Sequence, residues 1–64
     1  MRAENRYFVH KEFKADNQEQ LALSVGQILY IKAKPTEEWW LAESNGLEGL
    51  VPVDHLEEFE IGNN

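Results

Sequence analysis

The chain has 64 residues, no cysteine and a net charge of −6, from 12 acidic against 6 basic side chains. A chain of this length makes one domain that buries about 60% of its unfolded surface, with a stability on the order of 3–5 kcal/mol. The acid excess argues against nucleic acid, whose binding rests on lysine and arginine neutralising phosphates, and against anionic membranes; it steers a basic partner.

Without cysteine there is no disulfide and no thiolate chemistry, which fits a reducing compartment and a cytoplasmic placement. Two histidines, His10 and His55, are too few for a metal site. No apolar run approaches the roughly 20 residues that span a bilayer, so direct membrane insertion is not expected. Met1-Arg2-Ala3-Glu4-Asn5-Arg6 lacks the apolar centre of a signal peptide. No nucleophile triad, glycine-rich phosphate loop or metal cluster occurs at usable spacing, so neither catalysis nor a cofactor is expected.

In chain order, residues 1–5 are polar and read as a flexible terminus. Arg6 to His10 carries Tyr7, Phe8 and Val9, an aromatic and β-branched run that predicts a strand. Lys11 to Gln20 is mostly polar and predicts a long ordered loop or a splayed hairpin. A helix over Asn17 to Leu23 is disfavoured, because Leu21, Ala22 and Leu23 are consecutive and make no helical stripe. Val25-Gly26 predicts a turn. Ile28 to Ala33 is the strongest strand, with Leu29, Ile31 and Ala33 on the expected core face and Ile28, Tyr30 and Lys32 on the other. Lys34-Pro35-Thr36-Glu37 predicts a loop, since proline cannot donate to a ladder.

Trp39 and Trp40 follow on the next strand. Neighbours on a strand point to opposite faces, so both cannot enter one core. Trp39 is expected on the surface and Trp40 over the back of the sheet. Asn45-Gly46 suits a two-residue type I′ turn, in which both central residues need positive φ. It joins arms over Trp39–Ser44 and Leu47–Val51. Gly49 in the return arm predicts close backbone packing or a bulge. Pro52 to His55 predicts a turn with one 3-10 step, Leu56 to Phe59 a last strand, and 61–64 a flexible end. Five short strands around one small core make an all-β domain, a compact, partly open barrel of two packed antiparallel sheets.

At this point the pattern resembles an SH3 domain over about residues 7–59, the domain itself being assigned to 6–60. The carriers are Ala15 with Leu21-Ala22-Leu23 and Val25-Gly26-Gln27-Ile28-Leu29, then Glu38-Trp39-Trp40-Leu41-Ala42, then Asn45-Gly46-Leu47-Glu48-Gly49-Leu50-Val51-Pro52, then Val53-Asp54-His55-Leu56. The resemblance implies a five-stranded barrel of orthogonally packed sheets, with a long loop at 11–27, a short one at 34–38 and a distal turn at 45–46. It further implies a monomeric, non-catalytic module of a larger adaptor, cytoskeletal or signalling protein. Such modules bind proline-rich or basic extended segments of partner proteins. Polyproline segments arrive already extended, which reduces the entropy lost on binding.

Carried onto this chain, the resemblance makes Trp39 the groove tryptophan and Pro52 the groove proline. Phe13 stands where a tyrosine is usual. Lys11, His55 and Leu50 also stand at tyrosine positions, and Gln20 stands at the usual acid. Asp16 and Glu19 in the first loop, and Glu37 and Glu38 in the second, are the acids left to receive a ligand's lysine or arginine. The binding set is therefore Lys11, Phe13, Asp16, Glu19, Glu37, Glu38, Trp39, Leu50, Pro52 and His55, and its missing tyrosines predict atypical specificity. Lys11 folding over Trp39 or Phe13 as a cation–π cover is one further expectation. Two alternatives remain open. The barrel could dock through a surface other than the groove, or Trp39, Tyr7 or Phe13 with Glu37 could cage a methylated lysine.

Overall fold

The computed structural model describes residues 6–58, so the expected flexible ends at 1–5 and 61–64 and the share of Phe59 in the last strand lie outside the described residues. Five strands form: β1 (Arg6–Val9), β2 (Ile28–Ala33), β3 (Trp39–Ser44), β4 (Leu47–Pro52) and β5 (Leu56–Glu58), with a 3-10 turn at Val53–His55 between the last two. All pairings are antiparallel, in the order β4-β3-β2-β1-β5. The hydrogen bonding is continuous, and the sheet curls so that one face encloses the core. That core takes Val9 from β1, Leu29 and Ile31 from β2, Ala42 from β3, Val51 from β4, Leu56 from β5, and Leu21 and Leu23 from the long loop.

The β3–β4 hairpin turns on Asn45 (φ 55°) and Gly46 (φ 82°), the two positive φ values a type I′ turn requires. The earlier turn runs from Ser24 to Gln27, whose amide donates to the Ser24 carbonyl at 3.1 Å. Gly26 sits at its third position with φ 90°, where a side chain would be strained. The Gln27 side chain ties this turn to the hairpin: its Oε1 accepts from the Ser24 amide at 2.9 Å, and its Nε2 donates to Ser44 Oγ at 2.9 Å.

Simple alternation fails at one place. Ala33, expected inside, is exposed. The β2–β3 register passes from Ile31 opposite Ala42 to Ala33 opposite Leu41, so β2 advances two residues while β3 advances one. Such a bulge reverses the inward and outward phase beyond it and bends the strand. The first half of β2 therefore feeds the core and its end leads out into the 34–38 loop.

The long loop is ordered by backbone bonds. Phe13 and Leu23 exchange amide-to-carbonyl bonds of 3.1 and 2.8 Å. The loop then lies along the outer edge of β4: the Leu50 amide donates to the Glu19 carbonyl (2.8 Å) and the Leu21 amide to the Leu50 carbonyl (2.9 Å). This contact needs Gly49. A Cβ there would stand 2.9 Å from the Leu21 nitrogen and 3.0 Å from the Gln20 carbonyl carbon. Close packing, rather than a bulge, is what this glycine serves.

Candidate functional site

Cross-strand register decides which side each tryptophan takes. Trp40 lies opposite Val51 and Ala42 opposite Gly49, both pairs on the core side, so Trp39 and its partner Pro52 face outward. Trp40 does not cover the back of the sheet. It is half-buried against the core, with Tyr7 edge-on at 5.3 Å between centroids and the Lys34 ammonium 4.4 Å above its ring. Tyr7 is thereby committed to the core side and cannot join Trp39 in a cage for methylated lysine. The lysine seated on an indole is Lys34, whereas the Lys11 side chain is exposed.

On the outward face the aromatic residues form a row. The Phe13 ring meets Trp39 at 5.9 Å and 66°, and meets His55 at 5.6 Å and 87°, both edge-to-face. Such pairs contribute about 0.5–1.5 kcal/mol beyond the area they bury. All three rings, and Pro52 opposite Trp39, are half-buried, neither sealed in nor fully exposed. Phe13 also packs against the core, so it anchors its loop as well as standing in the row.

Three hydrogen bonds stitch the start of the long loop to the 3-10 turn. The His10 amide donates to the His55 carbonyl (2.9 Å), His10 Nε2 to the Asp54 carbonyl (3.0 Å), and His55 Nδ1 to the Lys11 carbonyl (3.2 Å). The second loop is held by Thr36. Its Oγ1 accepts from the amides of Trp39 (3.0 Å) and Glu38 (3.3 Å), and the Glu38 carbonyl accepts from the Val53 amide at 3.0 Å. Glu37 and Glu38 are exposed beside the start of β3, so the loop that carries them is bonded to the turn that follows Pro52.

Among the ten candidate residues, ring contacts and strand pairing bring together Phe13, Trp39, Pro52 and His55. Leu50 lies on the Pro52 side of β4, half-buried, with its backbone fully engaged by the loop. Lys11 joins through its carbonyl. Asp16 and Glu19 are exposed on the long loop, and among the described residues no side-chain contact ties them to the ring row. Gln20, at the position where the resemblance expects an acid, turns its Oε1 onto the Asp16 amide at 2.6 Å and braces the loop instead. Sequence reasoning missed Thr36 and His10. A threonine ahead of two acids is a readable turn signal. His10 left none, because its partner lies 44 residues away.

Comparison with known proteins points the same way. The sequence profile of the variant SH3 domain matches residues 6–59. The chain is 36% identical to mouse intersectin-2 over 45 residues, 70% of this chain and 3% of that protein. It is 40% identical to human dynamin-binding protein over 58 residues, 84% of this chain and 4% of that one. The chain thus spans a small fraction of either relative. The C-terminal SH3 domain of myosin IB from Entamoeba histolytica, solved with a bound peptide, superposes with a TM-score of 0.85 at 33% identity, covering 94% of this chain and 100% of that one. A five-stranded curled sheet, an outward tryptophan paired with a proline and a profile match over almost the whole chain have one common explanation: the chain belongs to the SH3 domain family, a non-catalytic, peptide-binding interaction module.

Proposed function

We propose that this domain holds an extended, proline-rich and basic segment of a partner protein across Phe13, Trp39, Pro52 and His55. The observation that carries the reading is the half-buried Trp39, edge-on to Phe13 and paired with Pro52 on the outward face. Flat rings grip the puckered faces of prolines, while the exposed Glu37 and Glu38 of the second loop and Asp16 and Glu19 of the first receive lysine or arginine. Specificity is atypical. Lys11 and His55 supply no phenol, Leu50 supplies an aliphatic wall, and Gln20 is spent on its own loop. The domain works as a monomer inside a larger adaptor, cytoskeletal or signalling protein in the cytoplasm; the absence of cysteine and the acidic charge support that setting.

The test is a titration with an arginine- and proline-containing peptide, followed by amide chemical shifts on the wild-type domain and on Trp39→Ala. Shifts are expected at Phe13, Glu38, Trp39 and His55, and the variant loses about 2 kcal/mol or more of binding, at least 20-fold. Shifts confined to residues remote from Trp39 sink the reading. A second reading, docking through another face, draws on the exposed Val25 (67%), Tyr30 (52%) and Leu47 (64%). It gains if Leu47→Ser abolishes partner capture while Trp39→Ala leaves it intact.

A further inference from the structure

His55 is fixed in one tautomer by its surroundings. Its Nδ1 lies 3.2 Å from the Lys11 carbonyl oxygen, and a carbonyl can only accept, so Nδ1 carries the hydrogen. A neutral imidazole has one donor and one acceptor, which leaves the lone pair on Nε2. Rotation of the ring would break this bond and disturb the edge contact with Phe13 at 5.6 Å. The neighbouring backbone is immobilised by the bonds from His10 to the carbonyls of His55 and Asp54. Nε2 has no hydrogen-bond partner among the described residues and is not sealed from solvent.

We infer that His55 is a specificity-determining residue that presents a hydrogen-bond acceptor to the bound peptide, so that the peptide must bring an N–H group to this point of the groove. The inference rests on the peptide-binding reading above. A run of prolines has no backbone N–H to offer; its carbonyls are acceptors and meet the Nε2 lone pair unfavourably. A phenol hydroxyl, which rotates to donate or accept, tolerates such carbonyls. The imidazole in this tautomer does not. The favoured ligand is therefore a proline-rich segment interrupted, opposite His55, by a residue with a free amide.

Decapeptides of arginine and proline provide the probe, each carrying one alanine or one N-methylalanine walked through the proline positions. The paired residues share a side chain and differ by one N–H. In mildly alkaline buffer, alanine at one position is expected to bind the wild-type domain about 3- to 10-fold tighter than N-methylalanine. In His55→Tyr that discrimination should fall below about 2-fold, as expected for a hydroxyl that can play either role. Long-range proton–nitrogen spectra of the free wild-type domain read the tautomer directly and should show a protonated Nδ1 and a bare Nε2. Equal affinity of every pair, discrimination that persists in His55→Tyr, or a protonated Nε2 would each overturn this inference alone. Failure of all the peptides to bind would overturn the groove reading and this inference with it.

Discussion

Gly49 shows how one missing side chain joins two parts of the molecule. Along β4 the long loop approaches so closely that a methyl group at this position would meet Leu21 and Gln20 backbone at 2.9 and 3.0 Å. Backbone cannot swing aside as the end of a flexible side chain can. Gly49→Ala is therefore expected to destabilise the domain by about 1–3 kcal/mol, the usual penalty of overpacking. The melting temperature should drop on the order of 10 °C in calorimetry. Faster hydrogen exchange at the Leu21 and Leu50 amides would place the damage at this seam, and an unchanged melting curve would refute the account. Other residues act in the same paired way. Gln20 braces Asp16 rather than meeting a ligand, and Phe13 serves both the core and the ring row.

Among the elements, the short loop 34–38 carries the greatest demand. It must place two adjacent glutamates in solvent and deliver Trp39 outward and Trp40 inward at the next two positions. The bulge at the end of β2 sets its departure, Lys34 over Trp40 pins its first residue, and the Thr36 hydroxyl collects the amides of Glu38 and Trp39 at its end. Thr36→Val keeps the shape and removes the hydroxyl. It is expected to cost about 1 kcal/mol of stability and to weaken peptide binding several-fold, because Glu38 and Trp39 lose their common anchor. Denaturant unfolding and peptide titration of the same variant measure the two effects. Loss of stability with unchanged affinity would show that the loop's bonds do not position the site.

For the molecule as a whole, the charge of −6 and the exposed acids on both loops act at a distance. Exposed charges attract a cationic peptide before contact, and salt screens that attraction once the Debye length falls to about 10 Å at 0.1 M. Stopped-flow tryptophan fluorescence with an arginine- and proline-containing peptide should show an association rate falling several-fold between about 0.02 and 0.5 M salt, while the dissociation rate changes little. A salt-independent association rate would mean that the acids serve solubility alone. The shape of the domain follows from the same economy of size: with so few residues, the long loop must supply Leu21 and Leu23 to complete the core, so that loop and the hydrophobic centre are not separable units.

Sequence by itself determined the elements whose causes are local. The sequence pattern located the first four strands to within a residue and the start of the fifth at Leu56, because side-chain direction on a strand has period two. Asn45-Gly46 specified a type I′ turn, because few other pairs adopt positive φ twice. Adjacent tryptophans had to part, though alternation alone does not say which one goes inward. The resemblance chose Trp39 for the surface, and register against Pro52 and Val51 confirmed it. Tertiary structure decided the rest: the phase reversal that exposes Ala33, the place of Trp40 against the core, and the row from Trp39 through Phe13 to His55. It also decided what faces His55 Nδ1, a carbonyl 44 residues away. Local preference extends over a few neighbours along the chain, whereas ring contacts and imidazole tautomers answer to whatever the folded sheet brings alongside them.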